Sequence, residues 1–402
     1  MAKRVALTGN EAGATALKQV NPDVAAVYPI TPQTELMHAF AQFVADGEVD
    51  TELVLVESEH SAMSATIGAS AAGARAITAT SSCGLALMWE VIYVAASMRL
   101  PIVMPVVNRA LSGPINIHCD HSDTMGARDA GCVHLFSENS QEAYDNVIQA
   151  FRIAENKDVL TPVIVTWDGF IISHTMETLE VLDDAQVKAF VGEFKPEYSL
   201  LNLEKPITLG ALALPGYYYE AKRQQVQALE NALQVIPQVA ADYAKLSGRQ
   251  YGLFEEYRLR DAEIAILVLG STAGTSKVAI DELREQGVKA GLLKLRCFRP
   301  FPGQQIREAV KHLKALAVMD RSISFGLGGP VFNEVRSALH GVSLPLAPYV
   351  YGLGGREIRV SHIKGVFADL PRVAAEGLAD RPVKYLGLRE DETLPEQALV
   401  AE

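Results

Sequence analysis

A threonine between two prolines follows one of the apolar segments of the chain. Residues 28–32 read Tyr-Pro-Ile-Thr-Pro, in which Pro29 and Pro32 restrict the backbone on both sides of Thr31. Because this segment leads into an expected helix, the Thr31 hydroxyl and the nearby backbone N–H groups form a natural binding place for a carboxylate. The alternative is an ordinary helix start, in which Thr31 or Thr34 caps the first turn.

Two glutamates follow the next apolar segment. Residues 56–62 read Val-Glu-Ser-Glu-His-Ser-Ala, so Glu57 and Glu59 stand where an expected strand gives way to a helix of small residues. A carboxylate at the buried end of a strand is costly unless it is hydrogen-bonded or its pKa rises. Such a group suits proton exchange with a ring nitrogen. The alternative is that both glutamates only favour the first turn of the helix through its dipole.

An arginine stands directly after a further apolar segment. Arg109 ends the run Val-Val-Asn-Arg, and a guanidinium at the end of a buried strand can hold a carboxylate through two hydrogen bonds. The loop behind it carries four polar side chains, His118, Asp120, His121 and Asp123. A metal site is one interpretation of this loop, but its spacing matches no familiar zinc site. We therefore expect a polar active-site loop or a solvent-exposed turn.

The glycine-rich segments carry no nucleotide-binding signature. Residues 270–274 (Gly-Ser-Thr-Ala-Gly) and 326–329 (Gly-Leu-Gly-Gly) lack the Gly-x-Gly-x-x-Gly pattern. The Lys-Ser/Thr pair of a P-loop is also missing from the sequence. For residues 326–329 we expect a tight turn rather than a phosphate cradle.

The elements that must position these residues alternate between strands and helices. Apolar strands are predicted at residues 24–28, 53–56, 75–80, 102–107 and 162–167. Helices are predicted between them at residues 34–45, 61–72, 85–97 and 141–155. Nearly continuous apolar strands are typical of a parallel sheet that is buried on both faces. The pattern predicts a doubly wound α/β domain, in which ligands bind outside the carboxyl ends of the strands.

A connector and a second α/β unit follow the first domain. Residues 180–259 contain three prolines before a polar helical pattern over residues 220–246, which Pro237 is expected to kink or split. After the connector, apolar strands and helices alternate again. We therefore divide the chain into residues 1–235, the first domain with its connector, and residues 236–402, a second α/β domain with a polar C-terminal tail.

The overall composition excludes several classes of protein. A net charge of −12 disfavours nucleic acid or an anionic membrane surface as the main partner. The sequence contains no window of about 18 uncharged apolar residues and no recognisable signal peptide, so we expect a cytoplasmic protein with no membrane contact. Its four cysteines are scattered without a Cys-x-x-Cys pair, which predicts neither an iron–sulfur cluster nor a disulfide framework in this chain.

Several motifs, taken in order, resemble those of a known family. They are Tyr-Pro-Ile-Thr-Pro (28–32), Glu-Ser-Glu-His-Ser-Ala (57–62), Ala-Gly-Ala-Arg-Ala-Ile-Thr-Ala-Thr-Ser-Ser (72–82), Gly-Leu (84–85), Val-Asn-Arg-Ala-Leu-Ser-Gly-Pro (107–114), Asp-His-Ser-Asp (120–123) and Ser-Glu-Asn (137–139). The chain resembles alpha subunits of the 2-oxoacid:ferredoxin oxidoreductases, in particular of the pyruvate:ferredoxin oxidoreductase (pyruvate synthase) type. The second unit, with Arg-Cys-Phe-Arg-Pro-Phe-Pro at residues 296–302, resembles the transketolase C-terminal-like domain of the same subunit.

The resemblance implies an active site that is shared between subunits. It makes residues 1–235 the pyrimidine-binding domain of a thiamine diphosphate enzyme. A beta subunit would supply the diphosphate-binding domain with Mg²⁺ and a Gly-Asp-Gly motif, which this sequence lacks. The beta subunit and a ferredoxin-like delta subunit would hold [4Fe-4S] clusters, and a gamma subunit would complete the complex. Ferredoxin would be the electron acceptor and coenzyme A the co-substrate.

The resemblance also implies roles for individual residues. Glu59 is expected to bind N1′ of the aminopyrimidine ring and to act as the catalytic acid–base group. Thr31 and Arg109 are expected to bind the carboxylate of the substrate, and Pro29 and Ser82 to contact the cofactor. The resemblance implies no metal ligand in this chain.

The implied reaction is the reversible, coenzyme A-dependent oxidative decarboxylation of pyruvate to acetyl-CoA and CO₂ with reduction of ferredoxin. Thr31 favours pyruvate, because a second arginine in its place would suit a dianionic substrate. His118 and Cys119 stand where an aromatic residue often follows the Ile-Asn-Ile run, which leaves other substrates open. The alternatives are the same chemistry on oxalate, 2-oxoglutarate or a branched-chain 2-oxoacid, and a non-catalytic assembly subunit.

Overall fold

The computed structural model of the protein describes residues 3–389. The strands of its first unit are β1 (Lys3–Thr8), β2 (Val24–Val27), β3 (Glu52–Leu55), β4 (Ala76–Ile77), β5 (Val103–Asn108), β6 (Val133–Phe136), β7 (Val163–Asp168) and β8 (Met176–Val181). Its helices are α1 (Gly9–Val20), α2 (Thr34–Ala45), α3 (Glu59–Ala71), α4 (Ser82–Leu87), α5 (Trp89–Ser97), α6 (Ser122–Gly126), α7 (Ser140–Ala154), α8 (Asp184–Val191) and α9 (Tyr218–Ser247).

The second unit repeats the α/β pattern. Its strands are β9 (Phe254–Tyr257), β10 (Ile264–Val268), β11 (Ala290–Leu295), β12 (Cys297–Arg299), β13 (Ala315–Asp320), β14 (Leu346–Tyr351) and β15 (Lys384–Leu386). Its helices are α10 (Thr272–Glu285), α11 (Gly303–Val310), α12 (Pro330–Ala338) and α13 (Val360–Glu376), and a 3₁₀ turn spans Leu353–Gly355.

Two largely parallel sheets form the centre of the molecule. The first has seven strands in the order β12-β6-β7-β5-β4-β2-β3, and the second has six in the order β15-β14-β13-β10-β11-β9. Only the edge strands β12 and β9 are antiparallel to their neighbours. Every residue of β5 and β7 is buried, as expected for strands covered by helices on both faces. The predicted fold, a doubly wound α/β domain followed by a second α/β domain, is confirmed.

The strand β12 joins the two units. It lies in the second half of the chain, yet it pairs with β6 and closes one edge of the first sheet. Phe298 packs in the core of the second unit, whereas Cys297 packs in the core of the first. The two units therefore share a strand as well as a contact surface.

The helix α9 runs as one helix through Pro237, so the split that we expected there is not found. A proline removes one backbone hydrogen bond from a helix. Here Ile236, Val239 and Ala240 are buried beside it, and two of them, Ile236 and Val239, belong to the core of the first unit. Packing of this face stabilises the helix against the loss of that one bond.

The expected boundary between residues 235 and 236 falls inside α9. Val235 and Ile236, on its two sides, both pack in the core of the first unit, and so does Leu253 beyond the end of the helix. We therefore propose that the boundary between the two units lies after Leu253, because a boundary should fall where few contacts cross.

The glycine-rich segment 326–329 is a turn, as predicted. Gly328 has φ +79°, and Gly329 is the residue before α12. The Asp320 carboxylate accepts hydrogen bonds from the N–H groups of Val331 (2.8 Å) and Phe332 (3.0 Å). The positive end of α12 is thus already occupied by a carboxylate of the chain itself.

Within residues 3–389, no helix has both the length and the apolar character that a membrane span requires. Of the polar C-terminal tail that the sequence predicts, residues 390–402 lie outside the described residues.

Candidate functional site

The predicted site residues lie in or directly after four loops at the carboxyl ends of the strands in the seven-stranded sheet. In this sheet β2 lies between β3 and β4, so the direction in which the chain adds strands reverses there. Ligands of open α/β sheets bind at such a reversal, outside the carboxyl ends of the strands. Thr31 and Arg109 lie in the loops that follow β2 and β5, and Glu59 and Ser82 are the first helical residues after the loops that follow β3 and β4. We call this group of loops the strand-end site.

Arg109 and Thr31 are brought together by a direct hydrogen bond. The guanidinium Nη1 of Arg109 donates to the Thr31 carbonyl at 3.0 Å, and Nε donates to the Asn116 carbonyl at 3.1 Å. Because a guanidinium has five N–H donors, three remain for a ligand. The Arg109 side chain is 9% exposed, so an anion bound to these donors would be largely shielded from water.

The loop after β2 does not form the capped helix start that we considered as an alternative. Gln33 precedes α2, and no side chain caps the helix, so neither Thr31 nor Thr34 has that role. The fully buried Gln33 accepts from the Ile30 N–H at 3.3 Å through Oε1, while its Nε2 has no partner among the described residues. Pro29 lies exposed in the same loop. This loop therefore holds a buried amide donor that the described residues leave unused.

The two glutamates after β3 have different surroundings. Glu57 is exposed and accepts a hydrogen bond from the Ser61 hydroxyl, which lowers the pKa of Glu57. Glu59 is the first residue of α3 and is only 7% exposed. Within residues 3–389 its carboxylate has no hydrogen-bond partner. The residue is thus buried, but its carboxylate oxygens are not among the fully buried polar atoms, so they stay free to accept a hydrogen bond from a ligand.

The surroundings of Glu59 fit the aminopyrimidine ring that the motifs imply. Gly84 lets the carboxylate pack closely against α4, because a Cβ atom there would lie 2.6 Å from Glu59 Oε1. Just before Gly84 in the sequence, Thr80 Oγ1 and Ser81 Oγ are buried and have no hydrogen-bond partner among the described residues. Because these two atoms have no exposed surface, the group that a heteroaromatic ring nitrogen could reach here is the Glu59 carboxylate.

Ser82 connects the loop after β4 to the loop after β5. With φ at +45°, it donates its hydroxyl to the Ala110 carbonyl at 2.6 Å and its N–H to the Asp123 carboxylate at 3.0 Å. The Arg109 N–H donates to the same carboxylate oxygen at 3.0 Å, and Asn108 Nδ2 binds the other oxygen at 2.8 Å. Both Ser82 donors are thus used within the chain, and only its acceptor lone pairs remain for a ligand.

Asp123 is the centre of these contacts. Burial raises the pKa of this carboxyl to about 6, although the N–H groups of Arg109, Asn108 and Ser82 act in the opposite direction. It belongs to the Asp-His-Ser-Asp motif, which was noticed in the sequence, but no role could be assigned to it from sequence. The role of Asp123 becomes visible only in the structure, where its carboxylate contacts Ser82, 41 residues earlier in the chain.

The loop behind Arg109 does not gather its polar side chains around one point. His118 is exposed, and its ring lies 5.1 Å from that of Phe170, whereas His121 is buried and contacts Asp168 at 2.8 Å. Among the described residues, Cys119, His121 and Asp168 lie close enough to hold an ion.

The Asp168 carboxylate already has partners from the second unit. Arg321 Nη1 donates to it at 2.7 Å, and the Ser271 N–H donates at 3.1 Å. Burial raises the pKa of Asp168, but the charges of His121 and Arg321 outweigh burial and hold this pKa well below its usual range. The group is thus a buried ion pair between the two units rather than an open set of metal ligands.

We expect Arg321→Met to lower the free energy of unfolding by about 3 to 5 kcal/mol, because it leaves the buried Asp168 charge without its partner. A folded-state pKa below the unfolded value of about 3.9 means that the contribution is fully present above that pH and is lost progressively as the pH falls from there through the folded-state pKa. The difference between wild type and variant should therefore be largest near pH 7 and shrink below about pH 4. Urea unfolding followed by tryptophan fluorescence measures it.

The matched control is Arg336→Met, which removes an ion pair with Asp380 in which the side chains are 52% and 90% exposed. Such a surface pair is worth about 0 to 1 kcal/mol. An Arg321→Met variant that is no less stable than this control would contradict the role of the ion pair.

Known families match most of the chain. The family described as "Pyruvate flavodoxin/ferredoxin oxidoreductase, thiamine diP-bdg" matches residues 15–241. The family described as "Pyruvate:ferredoxin oxidoreductase core domain II" matches residues 262–363. The gap between the two matches includes the end of α9.

Individual relatives align over nearly the whole chain. Pyruvate synthase subunit PorA of Thermotoga maritima is 55% identical over 390 residues, which cover 96% of this chain and 99% of the relative. PorA of Methanocaldococcus jannaschii is 44% identical over 387 residues, with 96% and 98% covered. Ketoisovalerate oxidoreductase subunit VorA of Pyrococcus abyssi is 43% identical over 386 residues, with 95% and 97% covered.

A solved structure shares the fold. It is the 2-oxoglutarate:ferredoxin oxidoreductase from Magnetococcus marinus with 2-oxoglutarate, coenzyme A and succinyl-CoA bound. The TM-score is 0.72 at 19% sequence identity, and the match covers 91% of this chain but only 65% of that longer chain.

Proposed function

This chain belongs to the pyruvate:ferredoxin oxidoreductase family as a PorA-type subunit, and from that premise we propose that its strand-end site binds the pyrimidine ring of thiamine diphosphate together with pyruvate. The enzyme complex would catalyse the coenzyme A-dependent oxidative decarboxylation of pyruvate with reduction of ferredoxin. The observation that carries this proposal is the carboxylate of Glu59, which lies beside Gly84 without a partner among the described residues, at the strand ends to which Arg109 and Thr31 also belong.

Glu59 is proposed as the acid–base group of the site. Thiamine diphosphate, when bound, supplies the nucleophilic carbon that attacks the 2-oxo carbon of the substrate. The Glu59 carboxylate would hold a proton at the ring nitrogen N1′, because no group among residues 3–389 competes for it. Gly84 would let the carboxylate keep this position, since any side chain there would clash with Glu59 and Thr80.

Arg109 and Thr31 are proposed to bind the carboxylate of pyruvate. The remaining guanidinium donors of Arg109 suit a bidentate carboxylate contact. Its bonds to the Thr31 and Asn116 carbonyls hold the guanidinium in place before the substrate arrives. A preoriented clamp of this kind reduces the entropic cost of placing the reacting carbon.

Pyruvate is the proposed substrate among the 2-oxoacids. The PorA relative from T. maritima is 55% identical to this chain, against 43% for the VorA relative from P. abyssi. We expect the purified complex to reduce ferredoxin fastest with pyruvate in a panel that also contains oxalate, 2-oxoglutarate and 2-oxoisovalerate. A higher kcat/KM with any of the other three acids would reassign the substrate.

We propose that the complex contains beta, gamma and delta subunits and acts in the cytoplasm. The beta subunit would provide Mg²⁺ and the diphosphate-binding domain, and beta and delta would provide [4Fe-4S] clusters. The missing Gly-Asp-Gly motif and the scattered cysteines of this chain support that division. Leu55, Leu87 and Trp89, which flank the strand-end site in sequence, are 50 to 75% exposed and suit burial by a partner.

Purification of the native complex tests this proposal. We expect three companion polypeptides, iron and acid-labile sulfide, and thiamine diphosphate in a one-to-one ratio to this chain. A complex with iron but without thiamine diphosphate would favour the non-catalytic assembly role. A chain that is fully active without companions would contradict the shared site.

A further inference from the structure

A series of hydrogen bonds connects the substrate-binding arginine to the second unit. Arg109 Nε donates to the backbone carbonyl of Asn116 at 3.1 Å. The side chain of the same asparagine donates through Nδ2 to the Gly354 carbonyl at 3.1 Å. Asn116 therefore holds the arginine with its backbone and the second unit with its side chain.

The Asn116 side chain is held on both of its polar atoms. Besides the bond to Gly354, its Oδ1 accepts the His118 N–H at 2.7 Å, which closes a local turn. The Ala110 N–H donates to the His118 carbonyl at 2.9 Å, so the turn is also tied to the residue after Arg109. These three hydrogen bonds, two on the Asn116 side chain and one on the His118 carbonyl, together fix the position of the Asn116 carbonyl.

The loop of the second unit contacts this turn at several points. The Gly354 N–H donates to the Asp120 carboxylate at 3.2 Å, and the Gly355 N–H donates to the Cys119 carbonyl at 2.7 Å. Gly354 has φ +56°, and a Cβ atom on it would lie 2.5 Å from Asn116 Nδ2. A Cβ atom on Gly355 would lie 2.5 Å from the His118 Cβ. Only glycine lets the two loops approach so closely.

We infer that Asn116 is a positioning residue through which the loop at Gly354 sets the affinity of the strand-end site for its 2-oxoacid. This inference rests on the proposed function of Arg109. A shift of Asn116 moves the carbonyl that orients the guanidinium, and the clamp then meets the substrate carboxylate in a poorer geometry. The second unit would thus control substrate binding although none of its residues needs to touch the substrate.

Two substitutions test the connection from its opposite ends. Gly354→Ala pushes against the Asn116 side chain from the second unit. Asn116→Ser keeps a hydroxyl that can accept the His118 N–H but is too short to reach Gly354. In the purified complex we expect each variant to raise the KM for pyruvate about tenfold while kcat stays within about twofold. This split separates positioning of the clamp from a general loss of folded enzyme.

Gly287→Ala is the matched control for Gly354→Ala. Gly287 also lies in the second unit and has φ +82°, but a Cβ atom on it meets nothing within 4 Å. It carries the backbone strain of alanine in the left-handed region without a contact to Asn116. We expect its KM for pyruvate to equal that of the wild type.

The double variant Gly354→Ala, Asn116→Ser shows whether the two effects share one route. If Gly354 acts through Asn116, the double variant should have about the same KM as either single variant, not the product of the two increases. Multiplied effects, or a wild-type KM for Asn116→Ser, would overturn the inference. If Gly354→Ala does not assemble, the Asn116→Ser result alone decides. An unchanged KM in Arg109→Ala would instead show that the proposed function of Arg109 is at fault.

Discussion

Replacement of Glu59 by glutamine should reduce pyruvate-dependent ferredoxin reduction by about two to four orders of magnitude in kcat. Glutamine has nearly the same shape, so the start of α3 and the packing against Gly84 should persist. It cannot exchange a proton as a carboxyl group does, and the acid–base step would be lost. The measurement is the initial rate with saturating pyruvate, coenzyme A and ferredoxin.

The neighbouring glutamate provides the control. Glu57→Gln changes the same side-chain type two residues earlier, but Glu57 is exposed and its partner is the Ser61 hydroxyl. We expect this variant to retain nearly all of the wild-type rate. The Glu59→Gln complex should still contain all subunits and iron in the usual ratio. Full activity in that complex would remove Glu59 from the mechanism.

Replacement of Arg109 by alanine should raise the KM for pyruvate by about 30-fold to several thousandfold. Loss of a charge-assisted contact to a carboxylate in a shielded site costs about 2 to 5 kcal/mol, and 1.4 kcal/mol corresponds to a factor of ten. Arg109→Lys should recover only part of the affinity, because an ammonium group cannot form the two parallel bonds of a guanidinium. Steady-state kinetics with varied pyruvate give both values.

Arg99 offers a matched control for the loss of an arginine. Its Nε donates to the Leu160 carbonyl at 2.9 Å and its Nη2 to the Val159 carbonyl at 2.6 Å, so it also holds two backbone carbonyls. It follows α5 rather than a strand end, outside the strand-end site. We expect Arg99→Ala to leave the KM for pyruvate unchanged. An equal rise in both variants would point to a general structural defect rather than to a carboxylate clamp.

The sequence predicted best the elements whose residues have a regular environment, either buried along the whole strand or buried on one face of a helix. The apolar runs that became β5 and β7 are buried along their whole length, and the amphipathic pattern that became α2 has the predicted bounds Thr34–Ala45. For these segments, local composition and the final environment agree. The strand β6 was not predicted, because it has only four residues and one of them is a histidine. The pairing of β1 with β8 was not predicted either, because the two strands are distant in the chain.

The site was predicted in its residues but not in its connections. The positions of Thr31, Glu59 and Arg109 after separate strands were readable, because parallel strands bring their carboxyl ends to one edge. The shared use of Asp123 by Ser82 and Arg109, and the contact of Asn116 with Gly354, depend on how distant loops meet. No periodicity or spacing in the sequence contains that information. The same holds for Asp168 and Arg321, which are 153 residues apart.

Because β12 is synthesised long after β6, its pairing with β6 has a consequence for how the chain folds during synthesis. The ribosome releases β6 well before Cys297–Arg299, so the nascent first unit has an unpaired sheet edge until the later segment emerges. An open strand edge is a template for pairing with other chains. Separate expression of the two halves would leave that edge permanently open. Dividing the protein after Leu253 should therefore yield aggregates rather than two independent domains.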